Sequence, residues 1–164
     1  IIWRNNIPSI LDAYTEWSAN KTSNKALIIY DTMWNSTRKL ASAIEEAFEN
    51  RNYRTLMMNL QTNHISDILT ELIDTQYICV GSPTLNNNML PTVAAFLTYM
   101  KGLAPKNRNG LAFGSYGWGG QSVGQIEEIL KSCGFSLLES IKVKYIPDDD
   151  VLKNITRKLE KEIQ

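Results

Sequence analysis

The chain has 164 residues, the length of one α/β domain with room for a short appendage but not for a second core. Hydrophobic residues make up 43% and charged residues 21%, so it can bury a core and is not disordered by composition. Seventeen Lys and Arg balance seventeen Asp and Glu, which removes the net-charge argument for a nucleic-acid or anionic-membrane partner, although a local patch would survive it.

Two cysteines and one histidine exclude more. Cys79 lies in an apolar run and Cys133 closes a helical pattern, without the CxxC spacing of a metal or redox pair. Both read as buried thiols in a reducing cytosol. His64 alone cannot build a histidine metal site, so no metal ligands are expected, and a surface loop is expected around it. No apolar run reaches the ~18 residues needed to cross a bilayer. Ile1-Ile2-Trp3-Arg4 carries no signal-peptide pattern and no initiator Met, and reads as the start of a piece of a longer protein. The sequons at Asn20, Asn35 and Asn154 are taken as chance.

In chain order, Ile7, Ile10, Leu11, Tyr14 and Trp17 repeat at helical spacing, so an amphipathic helix is expected from Pro8. Residues 18–24 read as a linker. Ala26-Leu27-Ile28-Ile29-Tyr30 is a continuous apolar run, as in a parallel strand covered on both faces. Thr37, Leu40, Ala41, Ile44, Ala47 and Phe48 mark one face of the next helix, which ends near Asn50. Residues 53–59 suit a second strand. Ser66 and Asp67 are candidate caps for a helix with Ile68, Leu69, Leu72 and Ile73 on its inner face. Tyr77-Ile78-Cys79-Val80 is a third strand, and Pro91 opens a helix carrying Val93, Phe96, Leu97 and Met100. Leu111-Ala112-Phe113 is a fourth strand. Val123, Ile126, Ile129, Leu130 and Cys133 line a helix that Gly134 stops. Residues 141–146 alternate as an edge strand does. The last helix begins at Asp148-Asp149-Asp150 and ends near Lys158 and Lys161, matching the helix dipole at both ends.

Five strand–helix units with short connections predict an α/β fold, a doubly wound five-stranded parallel sheet of order 2-1-3-4-5 with helices on both faces. Ligands of such sheets bind beyond the carboxyl ends of the strands, so the loops after strands one, three and four are the candidates for function.

The first loop, Thr32-Met33-Trp34-Asn35-Ser36-Thr37, places three hydroxyls and an amide at a helix start. Free N–H groups, hydroxyls and the helix dipole there suit a phosphate. Neither GxxxxGK[ST] nor GxGxxG is present, so a monophosphate is favoured over a triphosphate or a dinucleotide. A well-capped helix start would use the same residue types. The second loop, Gly81-Ser82-Pro83-Thr84-Leu85-Asn86-Asn87-Asn88, offers uncharged amides to the edge of a heterocycle, or is an ordinary polar turn. The third, Gly114-Ser115-Tyr116-Gly117-Trp118-Gly119-Gly120, sets two large aromatics among glycines. Aromatic faces stack on planar rings, and glycine lets the backbone approach a ligand. A phosphate cradle, an amide-rich edge and an aromatic platform at one sheet end together describe flavin mononucleotide (FMN).

These loops, with Tyr30-Asp31 before the first and Met89-Leu90-Pro91 after the second, closely resemble the flavodoxin-like domain of the flavodiiron proteins, or A-type flavoproteins. Met33-Trp34 is the more specific mark, since ordinary flavodoxins usually carry a TxTGxT-type phosphate loop. The resemblance covers residues 25–150. Residues 1–24 look like the C-terminal helical tail and linker of a preceding metallo-β-lactamase-like diiron domain, which leaves 25–164 as the FMN-binding domain.

The resemblance implies that Thr32, Met33, Trp34, Asn35, Ser36 and Thr37 bind the FMN phosphate. It implies that Pro83, Thr84, Leu85, Asn86 and Asn87, with Ser82 before them, wrap the isoalloxazine and ribityl chain. Ser115, Tyr116, Gly117, Trp118, Gly119 and Gly120 would flank the ring, with Tyr116 and Trp118 as stacking partners. No catalytic residue is expected in the chain itself. In the family, FMN relays electrons from a rubredoxin or a flavin reductase to a diiron site that reduces oxygen or nitric oxide, within a head-to-tail homodimer in the cytoplasm. A stand-alone flavodoxin, an NAD(P)H:quinone oxidoreductase and a cofactor-free interaction domain stay open as alternatives. A phosphoacceptor receiver domain would need an aspartate where Gly81-Ser82 stands.

Overall fold

The computed structural model describes residues 4–163, so what is expected of Ile1-Ile2-Trp3 lies outside the described residues. The chain runs α1 (Ile7–Ser18), β1 (Ser23–Tyr30), α2 (Ser36–Asn50), β2 (Arg54–Asn59), α3 (Ile65–Glu71) and β3 (Thr75–Gly81). It continues through α4 (Pro91–Leu103), β4 (Asn109–Tyr116), α5 (Gln121–Ser132), β5 (Ser136–Leu137), β6 (Ile141–Lys144) and α6 (Asp149–Glu162).

All strand pairs are parallel and the sheet order is β2-β1-β3-β4-β5, with β6 also on β4. The predicted doubly wound order is therefore present. The fifth position differs from the single edge strand expected over 141–146. Two short strands share it: β5 pairs Ser136 and Leu137 with Asn109 and Gly110, and β6 pairs residues 141–144 with 113–116. Pairing stops at Lys144 because Tyr145 turns into the left-handed region. At the other end β1 starts three residues earlier than the apolar run, because the Ser23 N–H donates to the Asp74 carbonyl at 2.8 Å.

The continuous apolar run of β1 is explained by its two covered faces. Leu27 and Ile29 join a core with α3, α4 and α5 (Ile68, Phe96, Leu97, Ile126). Ala26, Ile28 and Tyr30 join a second core with α2 and α6 (Leu40, Ile44, Phe48, Leu159). Alternate side chains of a strand point to opposite faces, so a strand between two helical layers has no polar face to offer. Cys79 is fully buried in the second core, which pushes its thiol pKa far up, whereas Cys133 is only half-buried.

Local chemistry sets the element ends. Pro91 opens α4, Gly134 follows α5 in the left-handed region, and the Asp148 carboxylate caps α6 by accepting from the Val151 N–H at 2.8 Å. The cap of α3 is neither Ser66 nor Asp67. It is His64, whose Nδ1 accepts from the Ser66 N–H at 3.2 Å, so the exposed histidine has a structural task. The helix expected from Pro8 forms as α1, but none of its residues is buried, and Ile7, Leu11, Tyr14 and Trp17 face outward. No helix among the described residues is long and apolar enough to cross a membrane.

Candidate functional site

The three loops meet at the carboxyl edge of the sheet. They enclose an open cavity of about 570 Å³ lined by Thr32, Met33, Trp34, Ser36, Pro83, Thr84, Asn86, Asn87, Ser115, Tyr116, Gly117, Trp118 and Gly119, joined by Tyr145 and Ile146. That volume falls within the range of small-molecule sites, roughly 300–1,000 Å³. No lysine, arginine or carboxylate is among the lining residues.

Thr32 follows the end of β1 and is buried, yet its Oγ1 has no hydrogen-bond partner. A buried hydroxyl left unpaired costs free energy, so an acceptor or donor supplied from the cavity would recover it. Beside it α2 starts at Ser36. Its N-cap, Asn35, sits at φ 62° and makes no side-chain cap hydrogen bond. The N–H groups of Ser36, Thr37 and Arg38 have no intrahelical acceptor, and the positive end of the dipole points the same way. An uncapped helix end, a buried Ser36 and an orphaned hydroxyl form a neutral donor set for an anion.

The loop is held from behind by Asp31. This buried carboxylate accepts from the Thr32 N–H at 2.6 Å, from Gln61 Nε2 and from the Thr92 hydroxyl. Gln61 Nε2 also donates to the Thr32 carbonyl at 3.0 Å. Three connections, after β1, after β2 and at the start of α4, are thereby tied at one side chain. Sequence reasoning missed Gln61 and Thr92 because they are distant in the chain and carry no motif.

Not every expected ligand residue reaches the cavity. Thr37 is fully buried and its Oγ1 lies 3.3 Å from Ser115 Oγ, so it joins the first loop to the third. Ser82 is fully buried, donating to the Pro83 carbonyl at 2.8 Å and accepting from the Leu90 N–H at 2.9 Å. Leu85 packs against the core, and Asn35 and Gly120 serve as N-caps of α2 and α5. Asn86 and Asn87 do face the cavity, and both adopt positive φ, 48° and 61°. Asparagine tolerates that region, which gives these residues a backbone reason as well as an amide one.

The third loop lies close against the second. The Ser82 N–H donates to the Phe113 carbonyl and the Thr84 N–H to the Ser115 carbonyl, at 3.1 and 3.0 Å. A Cβ at Gly114 would lie 2.1 Å from the Ser82 carbonyl oxygen, so this glycine is required by backbone packing and not by a ligand. The two tryptophans are another matter. Trp34 is 81% and Trp118 97% exposed, and both border the cavity. Large apolar rings held open at a cavity rim mark a surface that receives something.

The flavodoxin family matches residues 28–157. The chain is 41% identical over 138 residues to a nitric oxide reductase of Moorella thermoacetica, covering 84% of this chain and 35% of that protein. Among solved structures it resembles the rubredoxin oxygen:oxidoreductase of Desulfovibrio gigas, with a TM-score of 0.89 and 37% identity over 94% of this chain and 40% of that one. It also resembles the flavodiiron protein of Giardia intestinalis, with a TM-score of 0.91 and 25% identity over 97% and 40%. The chain spans about two fifths or less of the length of these relatives. The order of the sheet, the loops at its carboxyl edge and the match over most of its length place the chain in the flavodoxin family.

Proposed function

We propose that this chain is the FMN-binding electron-transfer domain of a flavodiiron oxidoreductase. The observation that carries the reading is the unpaired Thr32 hydroxyl beside the uncapped start of α2, lining one cavity with the exposed aromatics Trp34 and Trp118. A ligand that carries both a small anion and a planar ring fits this lining. In this reading Thr32, Ser36 and the first N–H groups of α2 hold the phosphate. Pro83, Thr84, Asn86 and Asn87 border the ring edge and ribityl chain, and Trp34, Tyr116 and Trp118 supply its apolar walls. Bound flavin accepts and donates electrons one or two at a time, while the protein's part is to position it and set its potential.

The relatives named above include a nitric oxide reductase and a rubredoxin oxygen:oxidoreductase. On that basis the electron donor is a rubredoxin or a flavin reductase, and the acceptor is a diiron site outside this chain that reduces oxygen or nitric oxide, with two copies paired in the intact protein. Residues 1–24 then belong to the preceding metallo-β-lactamase-like domain. The apolar stripe of α1 supports that assignment, because a stripe suited to burial leaves Ile7, Leu11, Tyr14 and Trp17 exposed. The two free cysteines fit a reducing, cytoplasmic setting.

Titration of the purified chain with FMN and with riboflavin, followed by flavin absorption and fluorescence, tests this. The expected result is a structured, shifted flavin band with quenched emission and tighter binding of FMN than of riboflavin. Free-flavin spectra at every ratio overturn the reading.

A further inference from the structure

Two residues line the cavity that the three loops do not supply, Tyr145 and Ile146 from the turn between β6 and α6. Tyr145 has φ 62°, the left-handed region, where a bulky side chain is an outlier. Nine non-glycine residues among those described have positive φ, and seven of them are asparagines. The chain therefore meets this backbone demand with asparagine as a rule, and a tyrosine at 145 needs a separate reason. Burial does not provide one: the residue is 57% exposed, with Lys144 Nζ 5.1 Å from its ring centroid and Gly117 close enough that a Cβ there would lie 3.8 Å from Tyr145 Cε1. The turn itself is fastened to the third loop, since the Tyr145 N–H donates to the Tyr116 carbonyl at 2.7 Å. An unfavourable backbone held firmly, with an aromatic ring presented to a cavity, is the pattern of a functional site.

We propose that Tyr145 is a further wall of the flavin site, contacting the isoalloxazine ring from the side of Gly117. The inference rests on the flavin reading. The backbone that presents the ring is held before the ligand arrives by the Tyr145 N–H to Tyr116 carbonyl bond, so binding gains the aromatic contact without ordering the turn.

Flavin titrations and thermal melts of wild type, Tyr145→Phe, Tyr145→Ala and Tyr145→Asn test it. Tyr145→Phe keeps the ring and binds within about twofold of wild type. Tyr145→Ala and Tyr145→Asn bind FMN about tenfold more weakly. Riboflavin is weakened by the same factor, because the wall touches the ring and not the phosphate. Without flavin the two part company: Tyr145→Asn melts at or above wild type, whereas Tyr145→Ala, still strained and without the ring, melts below Tyr145→Asn. Wild-type affinity in Tyr145→Ala and Tyr145→Asn overturns the wall and leaves the flavin reading standing. Marked destabilisation of flavin-free Tyr145→Asn overturns the strain argument. Absence of flavin binding by the wild type overturns both readings.

Discussion

Thr37 Oγ1 lies 3.3 Å from Ser115 Oγ, and both residues are buried. One belongs to the first turn of α2 and the other to the carboxyl end of β4, so the contact ties the first loop to the third. Thr37→Val and Ser115→Ala each leave one buried hydroxyl without its partner and each cost about 1 kcal/mol or somewhat more. The double variant should cost less than the sum, because removing both hydroxyls leaves nothing unpaired. Urea unfolding of the four proteins measures the coupling. Additive losses would show that the two hydroxyls do not depend on each other.

The unpaired Thr32 hydroxyl makes a sharper prediction, because stability and binding move apart. Thr32→Val removes a buried polar atom that has no partner in the flavin-free protein, so stability stays equal or rises by up to about 1 kcal/mol. FMN binding loses a charge-assisted hydrogen bond and weakens by about tenfold or more, while riboflavin, which has no phosphate, binds as before. The pair of flavin titrations reads both. Equal weakening of the two flavins would move Thr32 away from the phosphate.

Asp31 carries a third prediction. Asp31→Ala strips the acceptor from the Thr32 N–H, Gln61 Nε2 and the Thr92 hydroxyl together, at a cost of about 3 kcal/mol or more, and loosens the phosphate loop. Asp31→Asn keeps one oxygen for the first two donors and offers an N–H to the third partner, a hydroxyl able to accept it. It should retain most of the stability and bind FMN at least as well as wild type, since a negative charge close to the phosphate loop is gone. Chemical unfolding and FMN affinity of both variants check this. Equal damage from the two would mean that the charge, and not the acceptor geometry, holds the loop.

The fold was legible where one cause acts. Residues 26–30 of β1 and 77–80 of β3 are apolar because both faces are covered there, and the inner residues of α2 recur at helical spacing because one stripe is buried. The fifth sheet position was not legible as two pieces, since a two-residue strand such as Ser136–Leu137 has no periodicity to display. In the site, Tyr116 and Trp118 stood out because aromatics among glycines have no packing explanation, and Trp34 because Met33-Trp34 marks the first loop of the family it resembles. Thr32, Thr37 and Ser82 could not be told apart, because a hydroxyl at a loop serves a ligand or the backbone with equal chemistry. Tyr145 was hidden by the alternation of 141–146. Only the backbone shows that it leaves the strand.

At the opposite edge of the sheet Lys25 is buried and donates to the Glu71 and Asp74 carboxylates, at 2.7 and 2.8 Å. Burial alone would raise the Asp74 pKa, but hydrogen bonds from Lys25 and Ser23 outweigh it and hold the carboxyl below its ordinary 3.8. A carboxylate whose folded pKa is depressed contributes stability above its unfolded pKa, and that contribution is lost as pH falls through the folded value. Asp74→Asn copies the protonated, neutral form. It should therefore be less stable than wild type at neutral pH by about 0.5–1 kcal/mol, a small figure because the carboxylate is half exposed and screened by solvent. The gap should hold down to about pH 5 and close below the ordinary 3.8, as wild-type Asp74 takes up its proton. Denaturant melts of the two proteins across that range isolate Asp74 from Glu45, whose pKa is raised by burial, by Glu49 and against a hydrogen bond from Thr55, and which titrates alike in both. Equal stability of the two proteins at neutral pH would mean that Lys25 is held by Glu71 alone, and a gap that stays constant into strong acid would mean that the loss does not come from the Asp74 charge.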